Sequence, residues 1–310
     1  MKKSIIAASV AAIMCIPTLA IADATLYGHV MIAADKVKNE KLHIGTSANS
    51  ESRIGLRGNA DTGIDGLKAL YQYEFGVNTS QTSYSGSSAN ALRTRQANLG
   101  LAGGFGTIKA GSQSTPQDSW VNGTTDVMLS SIASVVHSTG TAPSRISNSF
   151  SYVSPNLSGF QLGLATAANS SNNDENFDLY HAAVKFSHAG FYGAMGYIDY
   201  NSKVGFSKKN EMAVALQYDF GVATIAGVYS HVKYNSGNDF KPWDISATYK
   251  VSDSTTLKAA YADFKDGAKG FGVELQHNLG NMVNLFVGYA DANKDLGDGD
   301  IFSAGMRVRF

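Results

Sequence analysis

Four arginines, Arg53, Arg57, Arg95 and Arg145, stand on the polar faces of segments whose other faces are apolar. A guanidinium stays ionised and stacks closely with others of its kind. Grouped opposite carboxylates across a narrow wet passage, such groups make a transverse field that sorts solutes by charge. Two carboxylates, Asp118 and Asp126, lie in the long polar stretch between Arg95 and Arg145 and can face them. Glu74 shares a face with Lys68 and Gln72 and can pair with Lys68 or Arg53. Asp126 has a second reading as a helix N-cap, because it precedes an apolar set at helical spacing. The plain alternative for the arginines is that they are solvated polar-face residues, like Lys109, Lys185, Lys258, Glu274, Arg307 and Arg309.

The residues offer no bond-making chemistry. Gly104-Phe105-Gly106 begins like a phosphate loop, but Lys109 stands where the third glycine belongs and no helix follows. Asp291, Asn293 and Asp295 match the first EF-hand ligand positions, yet Leu296 replaces the turn glycine and Phe302 the final glutamate. That connector binds Ca²⁺ weakly at most. No GxSxG or HExxH occurs, and the histidines are scattered. An enzyme is not expected, nor a metal or other cofactor.

What must position the arginines is a set of strands. The dominant pattern has period two. Phe302, Ala304, Met306, Val308 and Phe310 alternate with Ser303, Gly305, Arg307 and Arg309. The same holds for Leu26, Val30 and Ile32 against Thr25, Tyr27 and His29, and for Tyr71, Tyr73 and Phe75 against Gln72 and Glu74. Alternation alone also fits a soluble sandwich. The apolar faces, however, end in aromatics (Phe75, Phe220, Tyr249, Phe310), as an interfacial girdle requires. Connectors alternate too: seven short ones, such as Gly103–Gly106 and His188–Gly190, and eight longer polar ones. That gives an all-β, 16-stranded antiparallel transmembrane β-barrel, closed because lipid cannot satisfy a free edge. Sixteen strands leave an aqueous channel. In Phe191–Ser202 and Val222–Tyr234 either face could point outward.

Ser112–Ser144 is the one long segment that will not fit as a strand. It carries Met128, Leu129, Ile132, Val135 and Val136 at helical spacing, which predicts a short helix around Met128–Val136. It is the third long connector and is expected to fold into the lumen and set the bore. Residues 1–22 read as a signal peptide, with a basic start at Lys2 and Lys3, an apolar run and an Ala20-Ile21-Ala22 cleavage site. The only cysteine, Cys15, lies inside it, so the mature chain 23–310 has none, which suits an oxidising periplasm. Without Lys2 and Lys3 the chain has 23 basic and 25 acidic residues, a net charge near −2. No basic bias points to nucleic acid.

Ordered motifs carry a resemblance across 23–310. They are Thr25-Leu26-Tyr27-Gly28, Ser52-Arg53-Ile54-Gly55-Leu56-Arg57-Gly58 and Arg95-Gln96. Leu99-Gly100-Leu101-Ala102-Gly103-Gly104-Phe105-Gly106, Ser149-Phe150-Ser151-Tyr152-Val153-Ser154-Pro155 and the terminal Phe310 follow. In these the chain resembles the trimeric general porins of Gram-negative outer membranes. The resemblance implies a homotrimer in outer-membrane lipid and lipopolysaccharide, assembled by machinery that recognises Phe310. It implies passive diffusion of small hydrophilic solutes and ions. It also implies a constriction with a basic wall of Arg53, Arg57, Arg95 and Arg145, with His29 where many members have lysine. Asp118, Asp126 and Glu74 supply the acids. The acidic Pro-Glu-Phe-Gly-Gly motif of some members' loops is absent, so a mild anion preference is expected. Two rivals remain: a substrate-specific channel with a track of lumen aromatics such as Tyr27, and a non-conducting adhesive or enzymatic barrel.

Overall fold

The computed structural model describes residues 23–45, 51–77, 92–139, 141–168, 176–265, 268–293 and 299–310. The expected signal peptide and the tips of several long connectors, including Asp295, lie outside these residues.

Seventeen strands join in one antiparallel sheet. They are β1 (Thr25–Val37), β2 (His43–Gly45), β3 (Ser52–Asp61), β4 (Lys68–Val77), β5 (Leu92–Gly103), β6 (Gly106–Ser114), β7 (Arg145–Val153) and β8 (Phe160–Ala167). Then come β9 (Leu179–His188), β10 (Phe191–Tyr200), β11 (Lys208–Asp219), β12 (Ala223–Tyr234), β13 (Trp243–Lys250), β14 (Thr255–Lys265), β15 (Ala268–Leu279), β16 (Val283–Ala292) and β17 (Ile301–Arg309). The short β2 stands in line with β3: β1 pairs with β3 over Thr25–His29 and with β2 over Ala33–Asp35. The wall therefore counts sixteen strands, as the alternation predicted. β1 also pairs with β17, His29 facing Arg309 and Val37 facing Ile301, and this closes the barrel. Phe310 continues the closure, exchanging backbone hydrogen bonds with Gly28.

The exposed apolar side chains are those of one pleat face: Leu26, Val30, Leu99, Leu164, Leu216, Ile245, Val287 and Met306 among them. In a soluble protein such a surface would be a liability, whereas in a bilayer it is the solvated side. The short connectors, together with the start of β1 and Phe310, lie at one rim. Backbones there turn through left-handed glycines, for example Gly106 (φ 106°) and Gly190 (φ 85°). A side chain at such φ values is strained. The long connectors lie at the other rim.

The other pleat face points inward and divides in two. On β17 and β3–β7 it is largely polar, while β1 carries Tyr27, His29 and Asp35 together with the buried Met31 and Ala33, which pack with Leu129. On β10–β12 it is apolar: Ala194, Ile198, Ala213, Ala215, Ala226, Val228 and Val232 are all buried. This is why both faces of β10 and β12 look apolar in the sequence. Val121 of the loop packs with Ala194 and Val228, and Ile198 packs with Ala142 and Ile146 where the loop returns into β7.

Candidate functional site

Register sets the basic wall. Arg309 on β17, His29 on β1 and Arg53 on β3 share one hydrogen-bonded row. Four residues further toward the short-turn rim, Arg57 on β3 shares a row with Gln72 on β4 and Asn98 on β5. Arg95 stands out of register. Glu74 pairs with Gln96 and Phe75 with Thr94, so Arg95 is the extra residue of a β-bulge. Bulges re-aim side chains. Arg95 Nε donates to Glu74 Oε1 at 2.6 Å, and Nη1 lies 3.1 Å from Glu51 Oε2. Arg93 Nη2 donates to the same Glu51 oxygen at 2.7 Å. Arg53 Nη1 lies 3.8 Å from Glu74 Oε1.

Glu74 is thus enclosed. Its second oxygen accepts the Tyr27 hydroxyl at 3.0 Å, and Gln72 Nε2 donates to that hydroxyl at 2.7 Å. Arg57 lies over the Tyr27 ring, 4.9 Å from its centre. His29 Nε2 is 3.1 Å from the Glu51 carbonyl oxygen. Burial alone would raise the Glu51 carboxyl, but hydrogen bonds from Arg93 and Arg95 outweigh it and hold the group below the usual range. Arg145 opens β7 opposite Ser114, where the loop begins and returns.

The loop forms a hairpin along the inner wall. Helix α1 (Pro116–Trp120) starts at Thr115, whose hydroxyl accepts the Asp118 N–H. The single-turn helix α2 (Ala133–Val136) follows. The helix expected over Met128–Val136 is confined to its last four residues. All five residues of the apolar set are nonetheless buried, packing with Ala260, Ala290, Ala292, Ile301 and Phe286. The wall leaves room for the loop: a Cβ on Gly270 would sit 1.7 Å from the Val135 carbonyl oxygen, and one on Gly163 would sit 2.8 Å from the Trp120 ring.

Three wall carboxylates, on alternate strands, hold this hairpin. Glu211 on β11 accepts Gln117 Nε2 at 3.0 Å and Thr141 Oγ1 at 2.6 Å. Asp244 on β13 accepts the Thr125 hydroxyl at 3.3 Å on the outward limb. On the return limb it accepts the Ser138 N–H at 2.8 Å, the Thr139 N–H at 3.2 Å, the Thr139 hydroxyl at 2.6 Å and the Ser138 hydroxyl. Glu274 on β15 accepts the N–H groups of Leu129 and Ser130, both at 2.9 Å, and the Ser130 hydroxyl. The chain meets Glu211, Asp244 and Glu274 going out, then Asp244 and Glu211 coming back. The limbs also receive cations: Lys258 Nζ donates to Val127 O at 2.6 Å, and Lys208 lies 3.1 Å from Glu211. His137 Nδ1 lies 2.9 Å from Asp244; burial lowers the imidazole, but Asp244 outweighs it and holds it raised.

Of the expected site, Arg53, Arg95, Glu74 and His29 meet in one cluster, with Arg57 beside them on Tyr27. Asp118 sits half-buried on α1 within the field of Arg145, and burial pushes its carboxyl up to about 6. Asp126 is exposed on the loop and caps neither helix. Sequence reasoning missed Glu51 and Arg93, which flank the cluster, and gave Arg307, Arg309 and Glu274 no special part. Arg307 donates from Nε and Nη2 to Asn284 Oδ1. The parity that placed Arg53 inward also places these, but nothing in it separates Glu274 from any other inner polar residue.

A sequence model of the Gram-negative porin matches residues 7–297. The major outer membrane protein P.IB of Neisseria gonorrhoeae is 29% identical over 317 residues, 95% of this chain and 83% of that protein. The outer membrane porin protein 32 of Delftia acidovorans is 26% identical over 333 residues, covering 95% and 91%. Among solved structures, the anion-selective porin from Comamonas acidovorans superposes with a TM-score of 0.72 at 21% identity, over 93% of this chain and 99% of that one. OmpT of Vibrio cholerae in its trimer form gives 0.68 at 18% identity, over 93% and 99%. The porins in this family are channels rather than enzymes, and one solved neighbour, OmpT, is described in a trimer form. The closed barrel, its lipid-facing girdle and these matches together make the chain a Gram-negative porin, an outer-membrane channel protein.

Proposed function

We propose that this porin passes small hydrophilic solutes and ions by passive diffusion, with a mild preference for anions. The bore is set where residues 116–139 face the Arg53–Arg95–Arg145 wall, with Asp118 and Asp126 on the loop side and Glu74, Arg57 and His29 completing the constriction.

One observation carries the charge preference: the inner acids are already engaged. Glu74 and Glu51 lie against Arg95, Arg53 and Arg93; Glu211 lies against Lys208 and Asp244 against His137. Glu274 is spent on loop amides. Arg57, Lys109, Arg307 and Arg309 face the lumen in addition. The solved anion-selective neighbour favours the same sign. The channel works as a homotrimer embedded in outer-membrane lipid and lipopolysaccharide, and Phe310 is the residue offered to the assembly machinery.

The test is the reversal potential of the purified channel in a planar bilayer under a potassium chloride gradient. A potential of the sign set by chloride supports the reading; one set by potassium overturns the charge argument.

A further inference from the structure

We propose that the lumen holds a second anion station, on the short-turn side of the constriction. In it Arg57 and Lys109, with the side-chain amides of Gln72, Asn98 and Asn59, bind a small doubly charged oxyanion such as inorganic phosphate. The proposal rests on the anion-preferring reading of the channel and names a site and ligand class within it.

Register brings these residues together. Arg57, Gln72 and Asn98 lie in one row across β3, β4 and β5. Lys109 on β6 aligns through Gly100 and Leu70 with Asn59, in a row just below. All five line one cavity of about 410 Å³. Between this cavity and the Arg53 row stands the row of Tyr27, Gly55, Glu74 and Gln96, so Arg57 serves both the lower edge of the constriction and the cradle, while Lys109, Asn98 and Asn59 lie beyond the constriction.

The cations there are available. Among the described residues neither Arg57 nor Lys109 has a carboxylate partner. Arg57 is oriented by the Tyr27 ring beneath it, which leaves its N–H fork unoccupied. Gly100 lets Lys109 lie across β5: a Cβ there would stand 2.8 Å from Lys109 Cγ. Asp23 is the single acid of the lining, and it takes the Asn59 amide at 3.5 Å.

The donors match an oxyanion. Gln72 spends one N–H on the Tyr27 hydroxyl, and Asn98 spends one on the Ser112 carbonyl at 3.1 Å. Each carboxamide nitrogen carries two hydrogens, so each keeps one. A planar guanidinium binds two oxygens of one anion, and a lysine adds a point charge. A monatomic chloride meets only donors that converge on one point, whereas a dianion with several oxygens can meet donors spread around the cavity. Lys109 also borders a smaller cavity of about 190 Å³ between β5, β6 and α1, lined by Gln96, Gln113, Ser119 and Trp120. It therefore joins the constriction side to the cradle.

The experiment is single-channel recording in chloride, with inorganic phosphate added to the short-turn side, for wild type, Arg57→Gln, Lys109→Gln and Arg57→Lys. Wild type should show saturable reduction of the chloride current. Each Gln variant should need about tenfold more phosphate, as loss of one charge-assisted contact implies, and Arg57→Lys should lie between. The proposal fails if wild type shows no saturable block, or if block persists unchanged in both Gln variants. Block lost only on Arg145→Gln would assign it to the constriction and equally refute the cradle. The chloride reversal potential, recorded in the same bilayers without phosphate, separates failure of the station from failure of the anion preference.

Discussion

Replacing Asp244 by Asn tests whether a wall carboxylate holds the loop. Asp244 is 2% exposed, so solvent does not screen its contacts. It accepts the backbone N–H groups of Ser138 and Thr139 on different oxygens. An asparagine of the same shape offers one acceptor oxygen and turns an NH₂ toward the other amide. At least one buried N–H then loses its partner, at about 1–3 kcal/mol, and the remaining bonds lose their charge assistance, about 1 kcal/mol more. The hydroxyls of Thr125, Ser138 and Thr139 can rotate to donate elsewhere, so the net cost to docking is about 2–4 kcal/mol. Glu211 and Glu274 still hold the two ends of the hairpin. The barrel ladders are untouched. The expected result is therefore a folded channel of unchanged thermal midpoint with higher mean conductance and larger open-state current noise. Deleting residues 116–139 sets the upper limit of conductance. An Asp244→Asn channel with wild-type conductance and noise would refute the idea that this carboxylate fixes the bore. Conductance unchanged by the deletion would place the loop outside the current path.

Two further outcomes follow from the acids around the bore. Glu74→Gln removes the charge that occupies Arg95 and Arg53, so the chloride-to-potassium permeability ratio should rise about twofold. That is the effect, on two ions of opposite sign, of one unit charge about 8 Å away at a water-like dielectric and screened over a Debye length of about 8–10 Å. An unchanged ratio would mean that the Glu74 cluster lies off the ion path. Asp118, with its carboxyl pushed up to about 6 by burial, is ionised above that pH and neutral below it. Acidification from pH 7.5 to 5 should then increase chloride preference, as a negative charge leaves the loop side. The quantity to read is the difference between wild type and Asp118→Asn, which isolates this carboxyl from every other group. No difference would take Asp118 out of the bore.

The barrel was legible because its two solvents differ. Lipid outside and water inside impose period two, and β17 shows it in every residue from Phe302 to Arg309. The pattern blurs at β10 and β12, where apolar side chains replace water as the inner neighbour: Ala194 and Val228 pack with Val121, and Ile198 with Ala142. The apolar spacing in the loop correctly marked what is buried but overstated the helix. Leu129 and Ser130 give their N–H groups to Glu274 rather than to a helical ladder. Arg53 and Arg145 were found by parity and motif. The aim of Arg95 depends on a bulge, and Glu51 lies just before a strand, so neither contact has a sequence period. Glu211, Asp244 and Glu274 read as ordinary lumen acids because their partners are more than 65 residues away along the chain.

The divided inner wall has a consequence for how this protein can change. Behind the hairpin, β10–β16 meet the loop as the two halves of a soluble domain meet, through buried alanines, valines and fitted glycines. Bulk added there has nowhere to go, and close-packed interiors tolerate it poorly. Across the bore, the arginine wall is polar, and its side chains are held by ion pairs and hydrogen bonds rather than by close apolar packing. Substitutions on that side can alter which solutes pass while leaving the fold intact. Substitutions on the other side disturb the fold before they alter permeation. Selectivity and stability are thus written on opposite sides of one tube, so the first can drift without endangering the second.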